Sequence, residues 1–542
     1  MRTSELAVPI VPWVNHPFVM CMGASPECSA LILQSVRKGF NVLSLGWDAP
    51  WCLRELYVDP NYDASLLTAV EITQEQLSAT LAELDACTLS SGVPDVGAAA
   101  GLHWGAGLGA SSGQQARIQA LLARLLPSDL EVRGNLLISC KVDIRTIDLY
   151  ARTCEAFAVK ALLPAPIGYL IKHLGEVNDR CQLPGISEQC ALNFTDKKRV
   201  RDLLVAAGCN AAPQLWLSEA ELTLSWAEIE AKIASFVATQ GFPLICKPRF
   251  GSGSRLVTVV TNAAELKAAL LQVAERITSK ASRGDIFCYD MLIEDYIEHD
   301  LEVSGNGIIV EGKLIAPFIL TKLEMSPWPY RQELSYSSRL LPPAQRAAII
   351  SELERVAAAL GINNSVIMSD IVLCGDRSSL TPYVVDVAGR HTGYFLYRTF
   401  ALSHGDLMPY FFDYVVNHES HPTAPDFWEQ VKERTTALQA TAQGEHTLVQ
   451  HFYNIKPGTV RGVPNREHLL GLIARALPQD DPCAHLGYFS CHVQLGAHYT
   501  RTELNDGAVT HLGFTVLKDI PEPTAQAIMA DFINAFVIEP DA

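Results

Sequence analysis

The sequence lacks the features that mark membrane, secreted and zinc-binding proteins. No apolar run approaches the ~20 residues that a membrane-spanning helix needs, and the N-terminal segment lacks the basic start and unbroken apolar stretch of a secretory signal. The 14 cysteines contain no C-x-x-C pair, so their spacing indicates neither a zinc ribbon nor a redox dithiol. We therefore expect a cytoplasmic protein without a membrane partner, whose cysteines are mostly reduced and buried.

Positive charge is also scarce. The chain has 42 lysines and arginines against 59 acidic residues, which gives a formal net charge of −17. A nucleic-acid backbone would be repelled by this charge, so we expect small-molecule substrates and no nucleic-acid partner. The 542 residues, 49% of them hydrophobic and 19% charged, are typical of a folded protein with several domains.

The order of the sequence patterns predicts an α/β chain in three parts. Residues 1–190 begin with a β-α-β unit, whose second strand is Asn41 to Leu45, and they include an insertion near 100–180 that reads as mostly helical. Residues 191–415 are the second part, and they include an N-capped amphipathic helix in TDKKRVRDLLVAAG and a helix from about Ala344 to Leu360. Residues 416–542 are the third part, which reads as β-rich.

A lysine followed by a glycine-rich loop is the first motif with chemical meaning. Lys247 ends an apolar strand, and Gly251-Ser252-Gly253-Ser254 follows four residues later. The backbone N–H groups of such a loop can approach phosphate oxygens closely. The lysine precedes the glycines, so this is not a Walker loop, and a hairpin turn with an exposed lysine is the alternative interpretation.

Three charged residues downstream favour the phosphate interpretation. Asp370 and Asp386 lie on consecutive predicted strands, Ser365 to Leu373 and Tyr383 to Val387, joined by a polar turn. A hairpin would put both carboxylates on one face, within reach of Mg²⁺. Arg390 follows, where a guanidinium can hold a carboxylate or a phosphoryl group.

These motifs resemble the ATP-grasp carboxylate-amine ligases, most closely the L-amino-acid ligase and carnosine-synthase-like branch. The similar segments are TDKKRVRDLL, CKPRFGSGS, IEDYIEHDLEVSG, MSDIVL and VVDVAGRHTG. The resemblance implies that residues 191–415 are a two-lobed ATP-grasp core, which binds the nucleotide and carries the catalytic residues, and that the C-terminal domain, residues 416–542, lines the substrate pocket. It also implies that the protein uses ATP and Mg²⁺, with Mn²⁺ as an alternative metal.

The resemblance also implies roles for individual residues. Lys197, Lys247 and the loop residues Ser252, Gly253 and Ser254 would contact the phosphates of ATP. Glu294 and the backbone of Tyr296 and Ile297 would receive adenine, Glu302 the ribose, and Asp370 and Asp386 the metal. Arg390 and Lys247 would be catalytic, and Glu333, Arg390 and His391 would bind the substrates.

The chain departs from the family pattern at three points. Aspartate replaces glutamate at Asp370 and Asp386, which shortens each carboxylate by one methylene group. Ala388 stands where the wider superfamily has an asparagine metal ligand. The amino-acid ligase branch tolerates a small residue at this position. The stretch between Glu294 and Glu302 is one residue longer than usual.

The expected reaction joins a carboxylate, such as an amino acid, to an amine through an acylphosphate, and forms a dipeptide or amide. Two other hypotheses remain open: an ATP-grasp enzyme with a different acceptor, and a non-catalytic ATP-binding sensor. A homodimer is the commonest oligomeric state for such a protein.

Overall fold

The computed structural model of the chain describes most residues between 16 and 540. The described ranges are 16–24, 28–47, 49–57, 65–90, 112–143, 145–163, 171–251, 256–280, 288–299, 301–310, 312–325, 333–337, 341–363, 365–375, 380–390, 448–451, 455–500 and 512–540. The chain divides into two compact units, the first mainly residues up to Ala191 and the second mainly residues from Leu192 onward. Within these ranges no helix is both long and apolar enough to cross a membrane.

The first unit is built on a four-stranded parallel sheet in the order β1-β2-β4-β3. Its strands are β1 (Phe18–Met22), β2 (Asn41–Leu45), β3 (Leu67–Ile72) and β4 (Asn135–Cys140). The helices are α1 (Ser29–Arg37), α2 (Ala49–Tyr57), α3 (Gln74–Ser90), α4 (Ser112–Leu125), α5 (Ile147–Ala156) and α6 (Ile171–Cys181), and α7 (Glu188–Thr195) spans the boundary between the units. The predicted β-α-β unit is confirmed.

The sequence pattern did not reveal strand β4. It lies between β2 and β3 in the sheet, inside the range predicted as a mostly helical insertion. All of its residues, NLLISC, are buried. A strand covered on both faces has no alternation of polar and apolar residues, so period-two patterning does not detect it. The extent of an insertion near 100–180 stays a prediction.

A small antiparallel sheet opens the second unit, in the order β5-β8-β6-β7. Its strands are β5 (Gln214–Leu217), β6 (Leu244–Pro248), β7 (Thr258–Val260) and β8 (Met291–Asp295). The helices of this region are α8 (Lys197–Ala206), α9 (Glu219–Leu222), α10 (Trp226–Gln240) and α11 (Ala263–Thr278). Apolar side chains of the sheet and of α9 to α11 share one core.

An eight-stranded sheet completes the second unit, in the order β13-β12-β9-β10-β11-β14-β18-β16. The strands before residue 400 are β9 (Leu301–Val310), β10 (Lys313–Met325), β11 (Glu333–Ser337), β12 (Ser365–Cys374) and β13 (Thr381–Ala388). Helix α12 (Pro343–Leu360) packs on β9, β10 and β13. The predicted helix from 344 to 360 and the predicted hairpin of two strands are both confirmed.

The C-terminal segment contributes three strands to this large sheet, β14 (Leu448–His451), β16 (Leu486–Cys491) and β18 (Gly513–Leu517). A separate three-stranded sheet contains β15 (Gly458–Gly462), β17 (His498–Tyr499) and β19 (Val537–Glu539). The helices are α13 (Arg466–Ala476), α14 (Pro482–His485) and α15 (Glu522–Asn534). The domain boundary predicted at residues 415 and 416 stays a prediction.

We expect Ile371→Ala to destabilise the second unit. Ile371 in β12 is 0% exposed, and its side chain lies with Leu353 of α12 beside Gly305 of β9. Truncation of such a residue leaves a cavity and costs about 2–5 kcal/mol. Urea unfolding followed by far-UV circular dichroism measures the loss.

The matched control is Leu495→Ala, because Leu495 is 71% exposed. Its unfolding midpoint should stay near that of the wild type. Equal midpoints for the two variants would contradict the assignment of Ile371 to the core.

Candidate functional site

Helix α8 starts at Lys197 because Asp196 caps it. The Asp196 carboxylate accepts hydrogen bonds from the backbone N–H groups of Lys198 and Arg199 at 3.1 and 3.2 Å. The cap satisfies two donors that a helix leaves open at its N-terminus. The predicted N-capped helix is confirmed, and Lys197 lies in its first turn.

Arg249 connects this helix start to the end of β6. Its guanidinium donates to Asp196 from Nη2 at 2.6 Å and from Nε at 2.8 Å, and it pairs with Asp290 at 3.2 Å. The guanidinium also lies 5.3 Å from the ring centroid of Trp216 and 5.1 Å from that of Phe250. A planar cation held by two carboxylates and two aromatic rings keeps one orientation. The beginning of the predicted glycine loop is therefore joined to the helix that carries Lys197.

Lys197 contacts one of the two predicted metal carboxylates. Its Nζ lies 2.8 Å from Oδ1 of Asp386, whose side chain is 39% exposed. Burial raises the pKa of Asp386, but the charges of Lys197, Lys247 and Arg390 outweigh burial and lower it to about 2. Asp386 is therefore ionised at neutral pH and has three cations close to it.

Glu294 in β8 binds the second predicted phosphate lysine. Lys247 Nζ lies 2.8 Å from Oε2 of Glu294, and Arg201 Nη2 of α8 lies 3.1 Å from the same oxygen. These three side chains are only 8%, 4% and 2% exposed for Lys247, Arg201 and Glu294. Burial raises the pKa of Glu294, but the two cations outweigh it and hold the pKa below its usual value. The alternative interpretation is therefore wrong about the exposure of Lys247, although β6 and β7 do pair as an antiparallel hairpin.

The same two cations bind the backbone just before Asp386. Lys247 Nζ donates to the carbonyl of Val385 at 2.9 Å, and Arg201 Nη2 donates to it at 3.3 Å. Arg201 Nη1 donates to the carbonyl of Val384. These bonds tie the small sheet and α8 to β13, so the position of Asp386 depends on Glu294, Lys247 and Arg201.

The hairpin of β12 and β13 brings the two predicted metal carboxylates together. Asp370 and Asp386 are directly opposite partners in the antiparallel register. Opposite residues of such a pair project to the same face of the sheet. The prediction that both carboxylates share one face is confirmed.

Lys322 in β10 joins Asp370 to the predicted ribose residue. Its Nζ lies 3.0 Å from Oδ1 of Asp370 and 2.8 Å from Oε1 of Glu302, and its side chain is 1% exposed. His299 Nε2 lies 3.5 Å from the other oxygen of Glu302. The buried ammonium group of Lys322 therefore contacts two carboxylates with different expected ligands. The resemblance implies the metal for Asp370 and the ribose for Glu302.

The predicted adenine segment lies between β8 and β9. The N–H of Tyr296 donates to the carbonyl of Pro243 at 3.3 Å, and the carbonyl of Ile297 lies 2.7 Å from Nδ1 of His299. His299 falls within the stretch that is one residue longer than in the family pattern. The longer segment is thus held by a hydrogen bond of its own.

Position 389, immediately before Arg390, has no room for a side chain. A Cβ atom at position 389 would lie 2.4 Å from the ring of Phe194 in α7. The backbone passes too close to the ring for any side chain. Packing against Phe194 therefore determines the chain path immediately before Arg390.

Several predicted residues cannot be compared with the structure. Ser252, Gly253, Ser254 and His391 lie outside the described residues. Glu333 is the first residue of β11, and its backbone pairs with Met325.

Four residues of this site, Asp196, Arg201, Arg249 and Lys322, are not predicted from the sequence. Arg201 is the arginine of the D-K-x-x-x-R pattern in which only Lys197 was given a role. Lys322 lies within the mostly apolar run IAPFILTKL, and this placement is a signal in the sequence, because a lysine is rarely buried without a partner. Asp196 and Arg249 adjoin predicted residues, but nothing in their spacing indicates that they meet.

Comparison with known proteins identifies part of this region. Residues 240–389 match the sequence model of a family described as the ATP-grasp domain. No curated protein matches the chain.

Solved structures share the fold along nearly the whole chain. The L-amino acid ligase from Bacillus licheniformis superimposes with a TM-score of 0.53 and 14% identity, over 97% of this chain and 99% of that one. Phosphoribosylglycinamide synthetase from Anaerococcus prevotii superimposes with a TM-score of 0.50 and 11% identity, over 97% of this chain and 100% of that one. The biotin carboxylase domain of the Hydrogenobacter thermophilus 2-oxoglutarate carboxylase superimposes with a TM-score of 0.52 and 12% identity. The match covers 97% of this chain and 91% of that one. The predicted ATP-grasp fold is confirmed.

We expect Arg201→Met to destabilise the protein by about 3–5 kcal/mol, because it removes one partner of a buried carboxylate. The matched control on the same helix is Lys198→Met, whose partner Asp202 is 55% exposed. A surface pair of this kind contributes about 0–1 kcal/mol. Equal losses in urea unfolding for both variants would contradict the importance of the buried contacts.

We also expect the Asp196–Arg249 pair to make stability depend on acid pH. Burial raises the pKa of Asp196, but Arg249 and the N–H groups of α8 outweigh it and lower the pKa. Its stabilisation is therefore complete above the ordinary value of about 3.9 and is lost as the pH falls through the lower folded value. Asp196→Asn keeps a good N-cap and removes the charge.

The measurement compares the unfolding temperatures of the wild type and Asp196→Asn between pH 7 and pH 3. The wild type should be more stable at pH 7, and the difference should shrink below about pH 4. A difference that stays constant down to pH 3 would show that the charge of Asp196 does not stabilise the fold.

Proposed function

We propose that this chain, which contains an ATP-grasp domain, is an ATP-dependent ligase that joins a carboxylate to an amine. The carboxylate is expected to be an amino acid, and the products are a dipeptide or amide, ADP and phosphate. The observation that supports this most directly is the convergence of Lys197, Lys247 and Arg390 on the ionised Asp386. Cations placed around one site in this way stabilise the charge that develops on a transferring phosphoryl group.

The two lysines are assigned to the phosphates of ATP. Lys197 lies in the first turn of α8, where the helix dipole also favours an anion. Lys247 is held in place by Glu294 and by the carbonyl of Val385. The loop residues Ser252, Gly253 and Ser254 are assigned to cover the phosphates with their backbone N–H groups.

The segment between β8 and β9 is assigned to the nucleoside. Both Lys247 and Arg201 bind the Glu294 carboxylate, so the contact of Glu294 with adenine is assigned to its backbone, beside Tyr296 and Ile297. Glu302 is assigned to the ribose hydroxyls. The Glu294 carboxylate then acts as a positioning group for the phosphate lysine.

The donor set of the hairpin fits a hard divalent cation. Asp370 and Asp386 offer carboxylate oxygens on one face, which Mg²⁺ prefers. Among the residues that the structure describes, no group of three or more His, Cys, Asp or Glu side chains forms a self-sufficient metal site. Phosphate oxygens of the nucleotide would complete the coordination, and the Hydrogenobacter neighbour was solved with MgADP. When bound, Mg²⁺ would neutralise charge on the phosphates.

The proposed chemistry needs no side-chain nucleophile. An oxygen of the substrate carboxylate forms a bond to the γ-phosphorus as the bond from that phosphorus to the bridging oxygen of ADP breaks. The amine then attacks the acyl carbon, phosphate leaves with the carboxylate oxygen, and the amine gives up a proton. Arg390 is assigned to hold the carboxylate, while Lys197 and Lys247 offset the phosphoryl charge.

Two further residues are assigned to the substrates. Glu333 is assigned to a substrate ammonium group, and His391 to the pocket beside Arg390. The close approach of Gly389 to Phe194 gives Arg390 a constrained backbone, as a carboxylate-binding group requires.

We expect Arg390→Ala and Lys247→Met to fail at different steps. Arg390→Ala should bind a non-hydrolysable ATP analogue like the wild type but release ADP about 10²-fold more slowly, because its partner is the acyl substrate. Lys247→Met should weaken binding of the analogue itself. Calorimetric binding and ADP release with a panel of amino-acid pairs measure both properties.

The control is Arg461→Ala, which removes an exposed arginine paired with Glu539 far along the sequence. Its binding and turnover should equal those of the wild type. If the wild type releases no phosphate with any carboxylate-amine pair and both site variants bind ATP normally, a non-catalytic sensor is the better account.

A further inference from the structure

Both predicted metal carboxylates have a lysine ammonium as a direct partner. Lys197 Nζ lies 2.8 Å from Asp386, and Lys322 Nζ lies 3.0 Å from Asp370. A protein site that binds a free divalent cation usually keeps its carboxylates available for the ion. Here each carboxylate already has a positive charge in contact.

The two lysines differ in how firmly they are held. Lys322 is 1% exposed and contacts Glu302 as well as Asp370, so it has two carboxylate partners in a buried setting. Lys197, at the start of α8, is 15% exposed and contacts Asp386. Separating Lys322 from both partners would leave an uncompensated buried charge, which is costly. Lys197 can exchange one anion for another at its more accessible position.

We propose that Lys322 and Lys197 are internal counter-ions of Asp370 and Asp386, so that a divalent metal binds only together with the nucleotide. This inference rests on the proposed function. Mg²⁺ releases its water ligands reluctantly, and two carboxylates that are already neutralised offer little charge to replace them. The phosphates of ATP supply both further oxygen ligands for the metal and a new partner for Lys197.

The counter-ions therefore give the site an order of assembly. Lys322 stays with Asp370 and Glu302 and lowers the negative charge that a free ion would meet. Lys197 moves from Asp386 to the phosphates, and Asp386 becomes available to the metal that arrives with them. The metal and the nucleotide then strengthen each other's binding, and the coupling is reciprocal.

The experiment measures Mn²⁺ binding by equilibrium dialysis, with and without a non-hydrolysable ATP analogue on both sides of the membrane. The wild type should retain Mn²⁺ about 10-fold or more tightly when the analogue is present, which is within the usual range of coupling between two ligands. Lys322→Met removes the ammonium and keeps a side chain of similar length. Without the analogue, this variant should bind Mn²⁺ about 10-fold more tightly than the wild type.

The matched control is Lys232→Met, which removes the same charge from an exposed pair with Glu221. It should bind Mn²⁺ as the wild type does, which excludes an effect of net charge alone. Far-UV circular dichroism checks that Lys322→Met is folded. If it is not, Lys197→Met takes its place, and it should gain Mn²⁺ affinity without the analogue and lose affinity for the analogue.

The outcomes separate this inference from the proposed function. Wild type that binds Mn²⁺ equally well with and without the analogue overturns the inference and leaves the ligase proposal intact. A folded lysine variant with no gain in Mn²⁺ affinity also overturns the inference. Wild type that binds neither Mn²⁺ nor the analogue under any condition contradicts the proposed function itself.

Discussion

A buried carboxylate, Glu294, is the constraint on which the candidate site depends. Its side chain is 2% exposed, so its charge must be neutralised inside the protein. Lys247 from β6 and Arg201 from α8 meet this requirement. An ion pair of this kind is weak support for stability as such, but it demands that three elements meet in one geometry. Removal of the Glu294 carboxylate would leave two buried cations without their shared partner.

The same pair of cations carries this constraint to the second sheet. Lys247 and Arg201 donate to carbonyls of Val384 and Val385, and the next residue in β13 is Asp386. Lys247 and Asp386, which are proposed to bind the nucleotide and the metal, are therefore parts of one hydrogen-bonded network. These bonds hold a carboxylate of the large sheet close to a lysine of the small one.

Lysines have two roles in this arrangement, as predicted phosphate ligands and as counter-ions of acids. Each predicted metal carboxylate has an ammonium group within 3.0 Å. The short aspartate side chains at positions 370 and 386 are compatible with a network in which each carboxylate already contacts a lysine ammonium group. A phosphate site and a metal site that share their cations assemble most readily as one complex with MgATP.

Local structure and the residue types of the site could be predicted from the amino-acid sequence. The N-capped helix α8, helix α12 and the hairpin that aligns Asp370 with Asp386 all follow from capping, periodicity and turn chemistry, which act over a few residues. Strand β4 was missed because burial on both faces removes its alternation. The partners of Glu294 and Lys322 were decided only by the tertiary structure. These contacts join residues from different elements. Buried charges require partners, and local sequence patterns do not show which charged residues are buried.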